Sequence, residues 1–331
     1  MKKDTMKTNN KWIKTAVVAG VAVGAAALYV NKAEQQSLRS KLLASLIRLS
    51  GTRQKFSSPD SMQASLRNVV ASEDYRLPDK PYRSAVTSDS VQGYPVYTFN
   101  DRQDSAQKAV LYMHGGAWVY QPIGFHWTFI DKLAQATGAK IIAPIYPKAP
   151  THTFEDTFAL LRELYPSILD TLDDPSQLTI MGDSAGGNIS LLLVQRLREW
   201  ELPQPGRVIV FSPSLDLSFD NPDIQRFMKN DPMLDVPGGR HAASLWAGKV
   251  SLKSPSVSPL YGDFSDLAKI TMFYGTYEGA YPDAVLWDNT LTEAGIPHDF
   301  YVYPKMIHVF PLYPIPEAEK AFVQIVDAMD V

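Results

Sequence analysis

Apolar positions along this chain recur with two different periods. From Ala33 to Ser50, leucines stand at 38, 42 and 46 and are joined by Leu43 and Ile47. Arg39, Lys41 and Arg48 lie between them, and Gly51 supplies a stop. This spacing predicts an amphipathic helix packed on the body as part of a cap; a membrane-lying or substrate-gating helix is the other use of such a stripe. Ser57 to Lys80 is mixed and punctuated by prolines. Beyond it the rhythm changes. Tyr94 to Phe99, Ala109 to Met113, Lys140 to Pro144, Leu178 to Met181, Arg207 to Phe211, Ile270 to Tyr274 and Asp299 to Tyr303 read as strands. Helical patterns lie between several of them, at Phe125 to Thr137, Phe154 to Leu169, Gly187 to Glu199, Asp283 to Ala294 and Glu317 to Met329. Alternation of this kind predicts an α/β fold, with a mostly parallel central sheet covered by helices on both faces. Leu215 to Pro259 breaks the rhythm, is rich in Pro, Asp and Ser, and suits an inserted cap with a helical piece near Arg240 to Trp246. The expected organisation is a cap segment at 33–80 and an α/β domain at 81–331 carrying a cap insertion at about 215–259.

Composition narrows the function classes. The 331 residues are 45% apolar and 20% charged, which fits a globular chain. A formal net charge of -3, with no long basic run in the body, gives no footprint for nucleic acid. The absence of cysteine excludes disulfides, thiolate metal sites and cysteine nucleophiles. No metal or cofactor site is expected, because the histidines have no metal-ligand spacing. Residues 1–32 differ from the rest. Lys2, Lys3, Lys7, Lys11 and Lys14 precede an uncharged apolar run from Thr15 to Val30, as in an export signal or a signal-anchor. This run predicts an extracytoplasmic body, secreted or held at the membrane through the N-terminal segment.

The candidate chemistry centres on Gly182-Asp183-Ser184-Ala185-Gly186-Gly187, which joins an apolar strand to a helical run. A serine between glycines at a strand-to-helix turn is the pattern of a nucleophile elbow, held where helix N-terminal amides favour negative charge. Acyl transfer by such a serine needs a base, an acid to orient it and donors for an oxyanion. His114-Gly115-Gly116-Ala117-Trp118 follows the strand Ala109 to Met113, so Gly115 and Gly116 are expected oxyanion donors together with Ala185. Base and acid are sought later in the chain. His308 follows the last strand and is the expected base, while His298, before that strand, reads as a solvated residue at its start. His114 reads as an orienter of the glycine loop, and His126, His152 and His241 as surface or packing residues. Glu278, just past the penultimate strand, is the expected acid. Asp283 is the second candidate, placed lower because the start of a helix suits it for capping.

Taken together, His114-Gly115-Gly116, Gly182-Asp183-Ser184-Ala185-Gly186-Gly187 and Met306-Ile307-His308-Val309-Phe310 resemble the hormone-sensitive-lipase-like branch of the α/β-hydrolases, from about Tyr94 to the C-terminus. Ile145-Tyr146-Pro147-Lys148-Ala149-Pro150 is similar to that family's proline-containing loop. The resemblance implies the α/β-hydrolase fold with a helical cap, and a serine carboxylesterase or lipase, expected to act on short-to-medium acyl esters. Ser184 would be the nucleophile, His308 the base, and Gly115, Gly116 and Ala185 the oxyanion donors. Trp118 and Tyr120 are candidates to shape the pocket, with packing in the core as the alternative use of such aromatic residues. Two departures stand out: Glu278-Gly279-Ala280 replaces a common Asp-Pro-Leu, and Ala117 replaces the third loop glycine. A deacetylase of cell-envelope carbohydrate with the same mechanism, or a non-catalytic ligand-binding homologue, are the alternatives.

Overall fold

The structure, a computed structural model, describes residues 35–330. The export-like segment at 1–32 lies outside the described residues. Among those described, no helix is long and apolar enough to cross a membrane.

Sheet and helices follow from how strand side chains alternate. In β3 (Ala109–Met113), Leu111 and Met113 face one apolar cluster while Val110 and Tyr112 face another. The same division holds in β5 (Leu178–Asp183) and β6 (Arg207–Phe211), where Ile180, Val208 and Val210 oppose Met181, Ile209 and Phe211. Helices α5 (Phe154–Leu169), α6 (Ser184–Glu199) and α9 (Tyr281–Glu293) cover the first face. Helices α4 (Gly124–Thr137) and α10 (Pro316–Asp330) cover the second. Strands buried on both sides read as continuous apolar runs, which is why they were legible.

With β1 (Val86–Val91), β2 (Tyr94–Phe99), β4 (Lys140–Pro144), β7 (Lys269–Tyr277) and β8 (His298–Ile307), the eight strands are ordered β1-β2-β4-β3-β5-β6-β7-β8. Only β2 runs against its neighbours; the six strands from β4 to β8 in that order are parallel. Strand β1 has no counterpart in the sequence reading. It is an edge strand, mostly exposed and polar (Val-Thr-Ser-Asp-Ser-Val), so it shows no apolar alternation. Strand β8 begins one residue earlier and ends four residues later than the pattern suggested. Its pairing with β7 continues past an irregularity at Gly275/Tyr277, so Met306 and Ile307 are strand rather than loop.

Above the carboxyl ends of the strands lie two helical groups. The first comprises α1 (Leu38–Leu49), α2 (Thr52–Lys55) and α3 (Pro59–Leu66); the second comprises α7 (Ile224–Met228) and α8 (Val236–Ala247), between β6 and β7. Arg53 fastens one to the other: it donates to the carbonyls of Met228 and Asp231 and pairs with Asp235 at 3.0 Å. The Gly238 N–H donates to the Phe56 carbonyl at 2.8 Å. These contacts make a single roof from two distant segments.

Candidate active site

The turn from β5 into α6 leaves Ser184 at φ 51°, a left-handed value unusual for a side-chain-bearing residue. The strain is held by close packing on both sides. A Cβ on Gly182 would stand 2.6 Å from the Gly186 carbonyl oxygen, and one on Gly186 would be driven into the Met113 carbonyl. Only glycine fits either position, so the elbow sequence and its geometry have one steric cause.

Ser184, His308 and Glu278 are brought together in a continuous chain of hydrogen bonds. Ser184 Oγ lies 2.8 Å from His308 Nε2, and His308 Nδ1 lies 2.6 Å from Glu278 Oε2. With Nδ1–H donating to the carboxylate, Nε2 is left to accept the serine proton. The other oxygen of Glu278 accepts from Ser212 Oγ (2.9 Å) and from the Gly275 N–H (2.7 Å). Ser212 Oγ in turn accepts the Val309 N–H at 3.0 Å, which ties Glu278 to the loop that carries His308. The carboxyl group is fully buried and every oxygen is partnered. Burial alone would push the His308 imidazole down; the hydrogen bond and charge of Glu278, reinforced by Asp231 and Asp183, outweigh it and hold it above its ordinary value.

Asp283 stands outside this chain. It lies in the first turn of α9 but does not cap it, since the N-cap residue is Ala280. Its carboxylate instead accepts from Asn221 Nδ2 at 2.8 Å. Burial and the neighbouring Asp216 outweigh that bond and push it up to about 7. His298 is not a solvated residue: its ring is bonded to Asp288 at 2.9 Å and to the Ile296 carbonyl at 2.8 Å, at the opposite end of β8 from His308.

The glycine loop departs from expectation in one respect. The Gly115 N–H donates to Asp183 Oδ1 at 3.0 Å and is therefore engaged within the protein. Asp183 also accepts from Tyr112 Oη (2.8 Å) and His126 Nε2 (3.2 Å). The amides of Gly116 and Ala117 have no acceptor among the described residues. Gly116 has φ 131° and Ala117 φ 53°, and a Cβ on Gly116 would stand 2.6 Å from the Tyr120 carbonyl oxygen. His114 orients this loop, with Nδ1 2.6 Å from the Gly115 carbonyl and its ring stacked on Tyr146 at 4.5 Å. Burial holds its imidazole well below the usual value, so it stays neutral. His126, read from the sequence as a surface or packing residue, is buried in the cavity wall, where it fixes Asp183.

Ser184, His308, Gly115 and Gly116 border a cavity of about 530 Å³. Its walls are mainly apolar, including Phe56, Val69, Tyr120, Leu234 and Leu312. Tyr120 lines this space but Trp118 does not; Trp118 is buried, stacks on Trp246 at 5.5 Å and donates to Asn188 Oδ1. Two polar neighbours had no sequence signal: Ser212, and Asp231, which accepts the Met233 and Leu234 N–H groups and, more distantly, that of Gly279.

A family profile described as the alpha/beta hydrolase fold matches residues 110–312, more than half of the chain. The chain is an α/β-hydrolase. The match spans the glycine loop, the elbow and His308, in the hormone-sensitive-lipase-like branch that the motifs resembled. This hydrolase is 28% identical to an acetyl-hydrolase of Streptomyces hygroscopicus over 222 residues, covering 66% of its own length and 74% of the relative's. It is also 28% identical to an ethyl acetate hydrolase of Pseudomonas putida over 250 residues, 71% of this chain and 77% of that one. A solved esterase/lipase from an uncultured bacterium aligns with TM-score 0.76 at 25% identity, covering 89% of the hydrolase and 98% of that structure.

Proposed function

We propose that this protein is a serine carboxylesterase acting on short-to-medium acyl esters through an acyl-enzyme, with Ser184 as nucleophile, His308 as base and Glu278 as acid. The observation that carries the reading is the unbroken Glu278–His308–Ser184 hydrogen-bond chain ending at an apolar cavity. His308 Nε2 takes the Ser184 proton as Oγ attacks the ester carbonyl, and the negative charge moves to the carbonyl oxygen. The amides of Gly116, Ala117 and Ala185 are the proposed donors to that oxyanion, Ala117 standing in for Gly115, whose N–H is held by Asp183. The imidazolium then gives its proton to the departing alkoxide, and the ester C–O bond breaks. Water, deprotonated by His308, attacks the acyl-serine; the acid leaves and Ser184 regains its proton.

A cavity of about 530 Å³ bordered by apolar side chains suits an acyl chain of limited length and offers a carbohydrate few polar partners. Relatives named acetyl-hydrolase and ethyl acetate hydrolase support the short end of that range. An activity series on p-nitrophenyl esters from acetate to palmitate tests the proposal. Turnover should be greatest among the shorter chains. A maximum at palmitate would overturn the size argument, and no turnover on any ester would overturn the esterase reading.

A further inference from the structure

Helix α1 is apolar on two sides. Leu43, Ala44 and Ile47 pack on the cluster that contains Met233, Leu312 and Tyr313, all of which border the cavity. On the other side Leu42, Leu46 and Leu49 are 56%, 65% and 83% exposed. Spacings of four and three residues place these leucines in one stripe. The helix also carries Arg39, Lys41 and Arg48 and no acidic residue. An exposed apolar stripe beside basic side chains costs solubility and has the composition of a helix lying in a lipid interface.

The surroundings say what covers it. Leu49 stands three residues before Thr52, which borders the cavity with Lys55 and Phe56. The cavity mouth is itself apolar at Val70, Ile123 and Phe125, which are 53%, 52% and 38% exposed. Upstream, the uncharged run Thr15 to Val30 ends eight positions before Leu38. At about 3.5 Å per residue, the intervening chain keeps Leu38 within roughly 28 Å of the end of that apolar run. A second copy is a poor occupant, since pairing α1 with itself would oppose two helices of the same positive charge.

We propose that the outer face of α1, together with the apolar rim of the cavity mouth, is a docking surface for an anionic lipid bilayer. Apolar burial of the leucine stripe and attraction of the basic side chains to anionic headgroups act together there. The catalytic edge of the sheet then faces the membrane, and the cavity opens toward it. This inference does not rest on the esterase reading, because it is tested by lipid contact rather than turnover.

The chain has no cysteine, so a single label can be introduced into the full-length protein. A bimane fluorophore on Leu46→Cys is compared with one on Ala106→Cys, an exposed position in the loop before β3 at the other end of the sheet. Each protein is bound to phosphatidylcholine–phosphatidylglycerol vesicles with and without brominated acyl chains. The Leu46 label should shift to the blue and lose most of its emission to the brominated lipid, while the Ala106 label keeps its own. Replacing phosphatidylglycerol by phosphatidylcholine should weaken the quenching. A Leu46 label equally bright in both lipids, with the protein still on the vesicles, overturns the proposal and indicates that another segment or copy covers the stripe. Quenching equal at both positions, or no vesicle binding at all, overturns it as well.

Discussion

The floor and the roof of the cavity are held in different ways. On the floor, backbone geometry fixes each group: Ser184 sits at φ 51° between two glycines that tolerate no Cβ, and Glu278 is bonded through both oxygens. The roof is joined mainly by side chains, with one backbone bond from Gly238 to Phe56. Arg53 reaches across to Asp235 and two carbonyls, and apolar residues such as Phe56, Val69 and Leu234 line its cavity side. A methyl group on Gly182 or Gly186 disrupts the floor, whereas the roof, away from the close Gly238–Phe56 backbone contact, can repack around a change of similar size. On the proposed function, reaction chemistry belongs to the rigid part and substrate preference to the part that can vary.

Substitutions at the two candidate carboxylates should separate these parts most sharply. Glu278→Gln should lower kcat by on the order of 10⁴-fold with little change in KM, as loss of the correct histidine tautomer does in other triads. Asp283→Asn should leave kcat within about twofold, because Asp283 does not touch His308. Steady-state kinetics on both folded variants would decide it, and equal losses would remove the distinction between Glu278 and its runner-up.

Asp283 should matter for stability instead. Its carboxyl is pushed from 3.8 up to about 7. Between those pH values the folded state holds a proton that the unfolded state has released. Stability therefore falls as pH rises from about 4 to 7 and then levels. The fall should be on the order of a few kcal/mol, and Asp283→Asn should flatten it, as read by denaturant unfolding at about pH 4.5 and pH 8.

Smaller effects probe how the roof touches the floor. His308 must be neutral to act as base, so kcat/KM should rise with pH along a limb set by its raised pKa. Asp231, on the roof side, adds to that rise. Asp231→Asn should move the limb to lower pH, whereas a purely structural role would lower activity at all pH values alike. Arg53→Ala should raise KM by about two- to tenfold with kcat nearly unchanged, since it loosens the roof without reaching Ser184.

How much was legible in the sequence follows the same division. Elbow and glycine loop could be read because a local steric demand leaves a residue signature at each position. His308 and Glu278 could be read from their places after the last two strands. The direction of an amide leaves no such trace: Gly115 was taken as a free donor, and its bond to Asp183 is visible only in three dimensions. Ser212 and Asp231 come from segments 66 and 47 residues before Glu278, with no pattern linking them to it. His126 looked like an ordinary helical residue until the fold placed Asp183 against its ring. Edge strand β1 escaped because a polar strand exposed to water carries no periodic apolar mark.

The central claim, that His308 and Glu278 make Ser184 a nucleophile, is tested most directly by covalent trapping. The purified chain is treated with an organophosphonate ester, digested and mapped by mass spectrometry, with Ser184→Ala and His308→Ala run beside it. One adduct on the peptide containing Ser184 is expected, absent in Ser184→Ala and formed orders of magnitude more slowly in His308→Ala. An adduct on another residue, or full ester turnover by Ser184→Ala, would contradict the account.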